Sequence, residues 1–140
     1  METEASGLAL IERLVAEMKA GSNSILTRTL ERKKLLELED VVEAIQKGDN
    51  LAIQGIGNIA GKIGRGLAVT INLLNPQLII LSGSLSQVGE SLLLPVKTSL
   101  IQHSLTLVNS DTQVVLSEMF EKAGLQGACL LVRDKIVGLV

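Results

Sequence analysis

The chain has 140 residues and a mass of 14.9 kDa, the size of one ordinary domain or of a piece of a larger protein. With 46% hydrophobic and 20% charged residues and a net charge of −2, it carries core-forming material and is neither disordered nor generally phosphate-binding in character. A lone aromatic residue (Phe120), a lone cysteine (Cys129) and a lone histidine (His103) exclude aromatic base stacking, a disulfide framework and a closed zinc site built from this chain alone.

Leu8, Ile11, Leu14, Val15 and Met18 fall on one face of a first helix, which Gly21 closes. The basic stretch 22–37, with Arg28, Arg32, Lys33 and Lys34, reads as a connection or a short exposed helix with a solvated charged face. Leu38, Val41, Val42 and Ile45 mark a second amphipathic helix ended by Gly48. Asp49 is placed to cap a third helix running to Leu74, with Ala52, Ile56, Ile59, Ile63, Leu67, Ile71 and Leu74 as its apolar stripe. Asn75 and Pro76 stop it. Gly57, Gly61 and Gly64 form a bare face on this helix, expected to be a packing groove. Gln77 to Leu81 reads as a buried strand, followed by a turn at Ser82, Gly83 and Ser84. A helix with Pro95 in its first turn comes next, then a strand at 112–116. A last helix runs from about Ala123 toward Val137, with Gly124, Gly127 and Ala128 small enough to sit against a sheet and Cys129 as a small core residue. The order defines an α/β arrangement with two parallel strands, too few to close a core. Either the opening segments contain strands or part of the fold lies outside the chain.

Polar residues such as Thr70 and Asn72 interrupt even the richest apolar stretch, 67–74, so no membrane span is expected. Glu2 and Glu4 stand where a signal peptide would be positive, and a cytoplasmic setting is expected.

Residues 55–60 fit the G-x-G-x-x-A pattern of a dinucleotide-binding turn, and the string LAIQGIGN looks like the nicotinamide-binding turn of amino-acid dehydrogenases. Three features oppose that reading. The four residues available for a strand are too few, no acidic residue between Asp49 and Glu90 can take ribose hydroxyls, and the helical stripe passes unbroken through the motif.

Taken together, residues 2–7 (ETEASG), Gly48-Asp49, residues 71–76 (INLLNP) before the strand at 77–81, and residues 123–128 (AGLQGA) resemble the ROK family of repressors, uncharacterised reading frames and sugar kinases. The resemblance covers essentially the whole chain in the right order. It implies an α/β fold: the C-terminal lobe of an actin-like (ribonuclease H-like) ATPase, helix-rich with a small parallel sheet, in which residues 1–140 form a single domain of a larger two-lobed protein. By the same resemblance, Glu2 and Ser6-Gly7 match the tail of a cysteine-rich zinc motif, and the zinc, the first phosphate loop, the catalytic aspartate and any helix-turn-helix are expected upstream of Met1. Zinc is expected in the full-length parent and no cofactor in this chain.

The family places a sugar-binding glutamate where Glu2 stands; a carboxylate there accepts hydrogen bonds from vicinal hydroxyls. Ser82, Gly83 and Ser84 stand at the family's Gly-rich adenosine turn, where backbone must approach the base closely. Serines flank a single glycine here, a departure that suggests a vestigial nucleotide turn and a non-catalytic, sugar-responsive regulator. The implied partners are a sugar or sugar-phosphate effector, a second copy in a homodimer, and DNA only through an upstream domain. The same lobe of an ATP-dependent sugar kinase is the alternative, and a nicotinamide-binding domain is a third reading. A dimer would use the third helix and the helix after the turn.

Overall fold

Residues 6–105, 112–119 and 122–138 are described by a computed structural model. Helix α1 (Gly7–Lys19) starts where the Ser6 hydroxyl accepts the Ala9 N–H at 3.2 Å. Its buried residues are Leu10 and Leu14. Ile11, Val15 and Met18 pack beside them, whereas Leu8, counted on the apolar face from sequence, is exposed. Helix α2 (Leu26–Lys33) forms within the basic stretch and anchors through Leu26. Helix α3 (Leu38–Gln46) follows, with Asp40 accepting from the Glu37 N–H at 3.0 Å and from Lys33 Nζ at 2.8 Å. That lysine holds the Asp40 carboxyl below its usual range and ties α2 to α3.

The centre of the molecule is α4 (Asn50–Leu74), 25 residues long. Asp49 caps it as expected, and Asn75 ends it in the left-handed conformation at φ 44°. Leu51, Ala52, Ile56, Ile59 and Ala60 face α1 and α3 in the main core, while Ile71 joins Leu93, Leu100 and Val114 in a smaller cluster under the sheet. Leu74 is exposed and does not extend the stripe. The helix runs through residues 51–57 without interruption, so no strand precedes Gly55 and Gly57 and the dinucleotide-turn reading is overturned.

Strand β1 (Leu78–Leu81) pairs in parallel with β2 (Gln113–Leu116), with Leu78 opposite Gln113 and Leu81 opposite Leu116. Between them lie a 3-10 segment (Ser84–Val88) and α5 (Glu90–His103). Pro95 is the sixth residue of α5, beyond its first turn. The ring there removes one N–H from the helix ladder, a cost the packing of α5 on α4 offsets. Helix α6 (Lys122–Val137) ends the described chain.

The opening segments contain no strand among the described residues, which leaves a two-stranded sheet beside a helical core. The sheet is buried on one side only. Leu78, Ile80 and Val115 on its other face are 49%, 59% and 38% exposed, so β1 is not the fully buried strand its apolar run suggested. No residue of α6 is buried, and an added Cβ at Gly124 or Gly127 would meet nothing within 4 Å. The small residues of α6 therefore do not seat it against the sheet. Cys129 is likewise exposed rather than in the core.

The glycine face of α4 is also shifted in phase from its sequence reading. Gly57 and Gly61 have open space where a Cβ would go. The close approaches are at Gly64, against Val96 and Ser99 of α5, and at Gly55, against the side-chain ends of Leu10 and Leu14. Gly61 contributes its carbonyl instead, accepting from Ser99 Oγ at 2.8 Å.

Candidate functional site

The turn at 82–84 lies at the carboxyl end of β1, where parallel α/β sheets commonly receive ligands. Its form follows from Gly83, whose φ of 106° and ψ of 178° fall in a region open to glycine and closed to other L-residues. The Gly83 carbonyl accepts both the Ser86 N–H (3.0 Å) and the Ser86 hydroxyl (2.6 Å), which locks the start of the 3-10 segment. Ser86 is buried and was not singled out from sequence; a hydroxyl three residues beyond a turn glycine was the available signal. Gly89, at φ 67°, then redirects the chain into α5, and its carbonyl accepts from Leu92 and Leu93.

The fold brings this turn to the start of α1. A Cβ added to Gly7 would stand 3.5 Å from Ser84 Oγ and 3.6 Å from Leu38 Cδ2. The amino-terminal ends of α1, α3 and the 3-10 segment therefore meet at one place, although Ser6, Ser84 and Leu38 are far apart in sequence. Aligned peptide dipoles make such a place mildly electropositive. Glu2 lies outside the described residues. The Ser6-Gly7 end of the one predicted element and the Ser82–Ser84 turn of the other are neighbours.

Alanine at position 83 tests the turn. Gly83→Ala meets no steric obstacle, since nothing lies within 4 Å of an added Cβ, yet the backbone conformation is disfavoured. The expected loss is about 1–3 kcal/mol, read as a lowered urea midpoint at unchanged slope. An unchanged midpoint would mean that the turn relaxes freely to another conformation.

No metal-ligating group of three or more His, Cys, Asp or Glu residues is present among the described residues. The donors at hand do not fit a zinc site: Cys129 and His103 are both exposed, and His103 Nδ1 lies 2.7 Å from the Ser99 carbonyl oxygen of its own helix. Among the described residues no helix is long and apolar enough to cross a membrane.

The helix-rich arrangement with its small parallel strand pair matches part of the actin-like ATPase fold of solved sugar kinases. A ROK-family glucokinase from Streptomyces griseus, solved with glucose and AMPPNP, matches 93% of this chain with 43% of its own at a TM-score of 0.80 and 28% identity. The ROK family model matches residues 1–135, and the chain belongs to the ROK family.

Its relatives fall on both sides of the family. A glucokinase of Thermotoga maritima is 24% identical over 138 residues, 99% of this chain and 44% of the relative. The DNA-binding transcriptional dual regulator NagC of Escherichia coli is 26% identical over 142 residues, all of this chain and 33% of NagC. The chain thus spans a third to under half of the curated relatives it matches.

Proposed function

We propose that the chain is the effector-binding and dimer-forming C-terminal lobe of a cytoplasmic, sugar-responsive ROK transcriptional regulator, and that it is not catalytic by itself. The supporting observation is the turn at the end of β1. Gly83 is its one glycine, flanked by Ser82 and Ser84 at the place where the family resemblance puts a Gly-rich adenosine turn, and a base approaching backbone closely favours residues without side-chain bulk. On this reading Glu2 hydrogen-bonds the hydroxyls of a sugar or sugar phosphate, zinc belongs to the longer parent, and DNA is contacted through another domain.

The S. griseus glucokinase match favours a second reading, the corresponding lobe of an ATP-dependent sugar kinase. Calorimetric titration with adenosine, which carries no phosphate and so reports on the turn alone, separates the two. No saturable heat is expected; micromolar affinity would return the turn to nucleotide binding and the parent to the kinases.

The dimer has its own test. Exposed apolar side chains such as Val69 and Leu73 of α4 and Leu94 and Ile101 of α5 keep those helices as candidate self-associating surfaces, and the open sheet face at Leu78, Ile80 and Val115 and α6 add to them. Isologous pairing would cover such patches on both copies. Light scattering over a dilution series should show a dimer that dissociates on dilution, and Ile80→Lys should leave a monomer. A monomeric mass at every concentration would remove dimerisation from this lobe.

A further inference from the structure

We infer that the cleft between the start of α2 and the turn joining α3 to α4 binds a small phosphate-type anion, with the Arg28 guanidinium as its principal ligand. The concavity measures about 570 Å³, and Asn23, Arg28, Lys47 and Asn50 all contribute to its lining. That volume suits a small phosphomonoester. The ligand turn at 82–84 is not part of this lining.

Asp49 also borders the cleft, and its carboxylate would repel an anion if it were free to face one. It is committed elsewhere: the side chain is buried, Oδ2 accepts from the Ile25 N–H at 2.8 Å, and Oδ1 accepts from the Ala52 N–H at 2.9 Å. The residue fastens the two walls together and spends both oxygens in doing so. Arg28 is in the opposite condition. It is exposed at the cleft, and no hydrogen bond or ion pair engages it among the described residues. Its planar fork of N–H donors matches two oxygens of a phosphate.

Lys47 supplies a second charge. It pairs with Glu43, but both side chains are more than half exposed, so water screens that pair and the ammonium can turn into the cleft at small cost. The carboxamides of Asn23 and Asn50 add neutral donors at the rim, each without a partner among the described residues. Two cations from separate elements and two amides thus contribute to the cleft, against one carboxylate whose two oxygens each accept a backbone N–H.

The test is calorimetric titration of the 140-residue chain with inorganic phosphate at low ionic strength, together with Arg28→Gln and Arg65→Gln. Arg65 is an exposed arginine of α4 that does not line the cleft. Saturable binding at one site is expected, weakened about tenfold or more by Arg28→Gln, as loss of a bidentate charged contact implies, and unaltered by Arg65→Gln. Matching thermal melts of the three proteins establish that the variants fold. Absence of saturable phosphate binding to the unsubstituted chain, or equal losses in the two variants, would overturn the assignment.

Discussion

Gly64→Ala is expected to lower the stability of the chain by about 2–3 kcal/mol, the upper part of the usual overpacking range. The new Cβ would stand 2.6 Å from both the Ser99 Cβ and the Val96 carbonyl oxygen. Neither atom is the loose end of a flexible side chain, so α4 and α5 must move apart along their contact. That separation lengthens the Ser99–Gly61 hydrogen bond and loosens the cluster of Ile71, Leu93, Leu100 and Val114 beneath the sheet. Gly61→Ala, one turn earlier, is the control. Nothing lies within 4 Å of its added methyl, and helix propensity should raise stability by up to about 1 kcal/mol. Thermal melts of the two variants should therefore shift in opposite directions. A Gly64→Ala protein as stable as the parent would mean that the helices pack less closely than described.

The second large effect is expected at Asp49. Its carboxylate caps α4 through Ala52 and also holds the Ile25 N–H, 24 positions earlier in the chain. Asp49→Ala removes the cap, worth about 1–2 kcal/mol, and leaves the Ile25 donor without its partner in a partly buried place, a further loss of about 1 kcal/mol. Asp49→Asn keeps one oxygen for Ala52 and should recover part of the stability. Urea denaturation of both variants checks the order. An Asn protein as stable as the unsubstituted chain would show that the second oxygen contributes nothing, leaving Asp49 as an ordinary helix cap.

Much of this architecture is legible in the residues. The period of Ala52, Ile56, Ile59 and Ile71, the cap at Asp49 and the stop at Asn75 specify α4 locally, because each acts within a turn or two of its own position. The short apolar runs before Ser82 and after Thr112 specify the strands in the same way, and the ROK resemblance needs only the order of short motifs along the chain.

Other features depend on partners distant in sequence. Which glycine of α4 must stay bare is set by where Val96 and Ser99 lie, and helical period alone offered Gly57, Gly61 and Gly64 as equals. The exposure of Cys129 and of one sheet face has the same origin: an apolar run records that a residue can be buried, whereas burial itself requires an element to arrive and cover it. The meeting of Gly7, Leu38 and Ser84 and the double use of Asp49 are likewise products of chain reversal. Sequence by itself therefore determined the helices, the strands and the family, through short-range periodicity and caps. Only the tertiary structure decided the packing contacts and the composition of the sites, because those depend on side chains and backbone brought together across the fold.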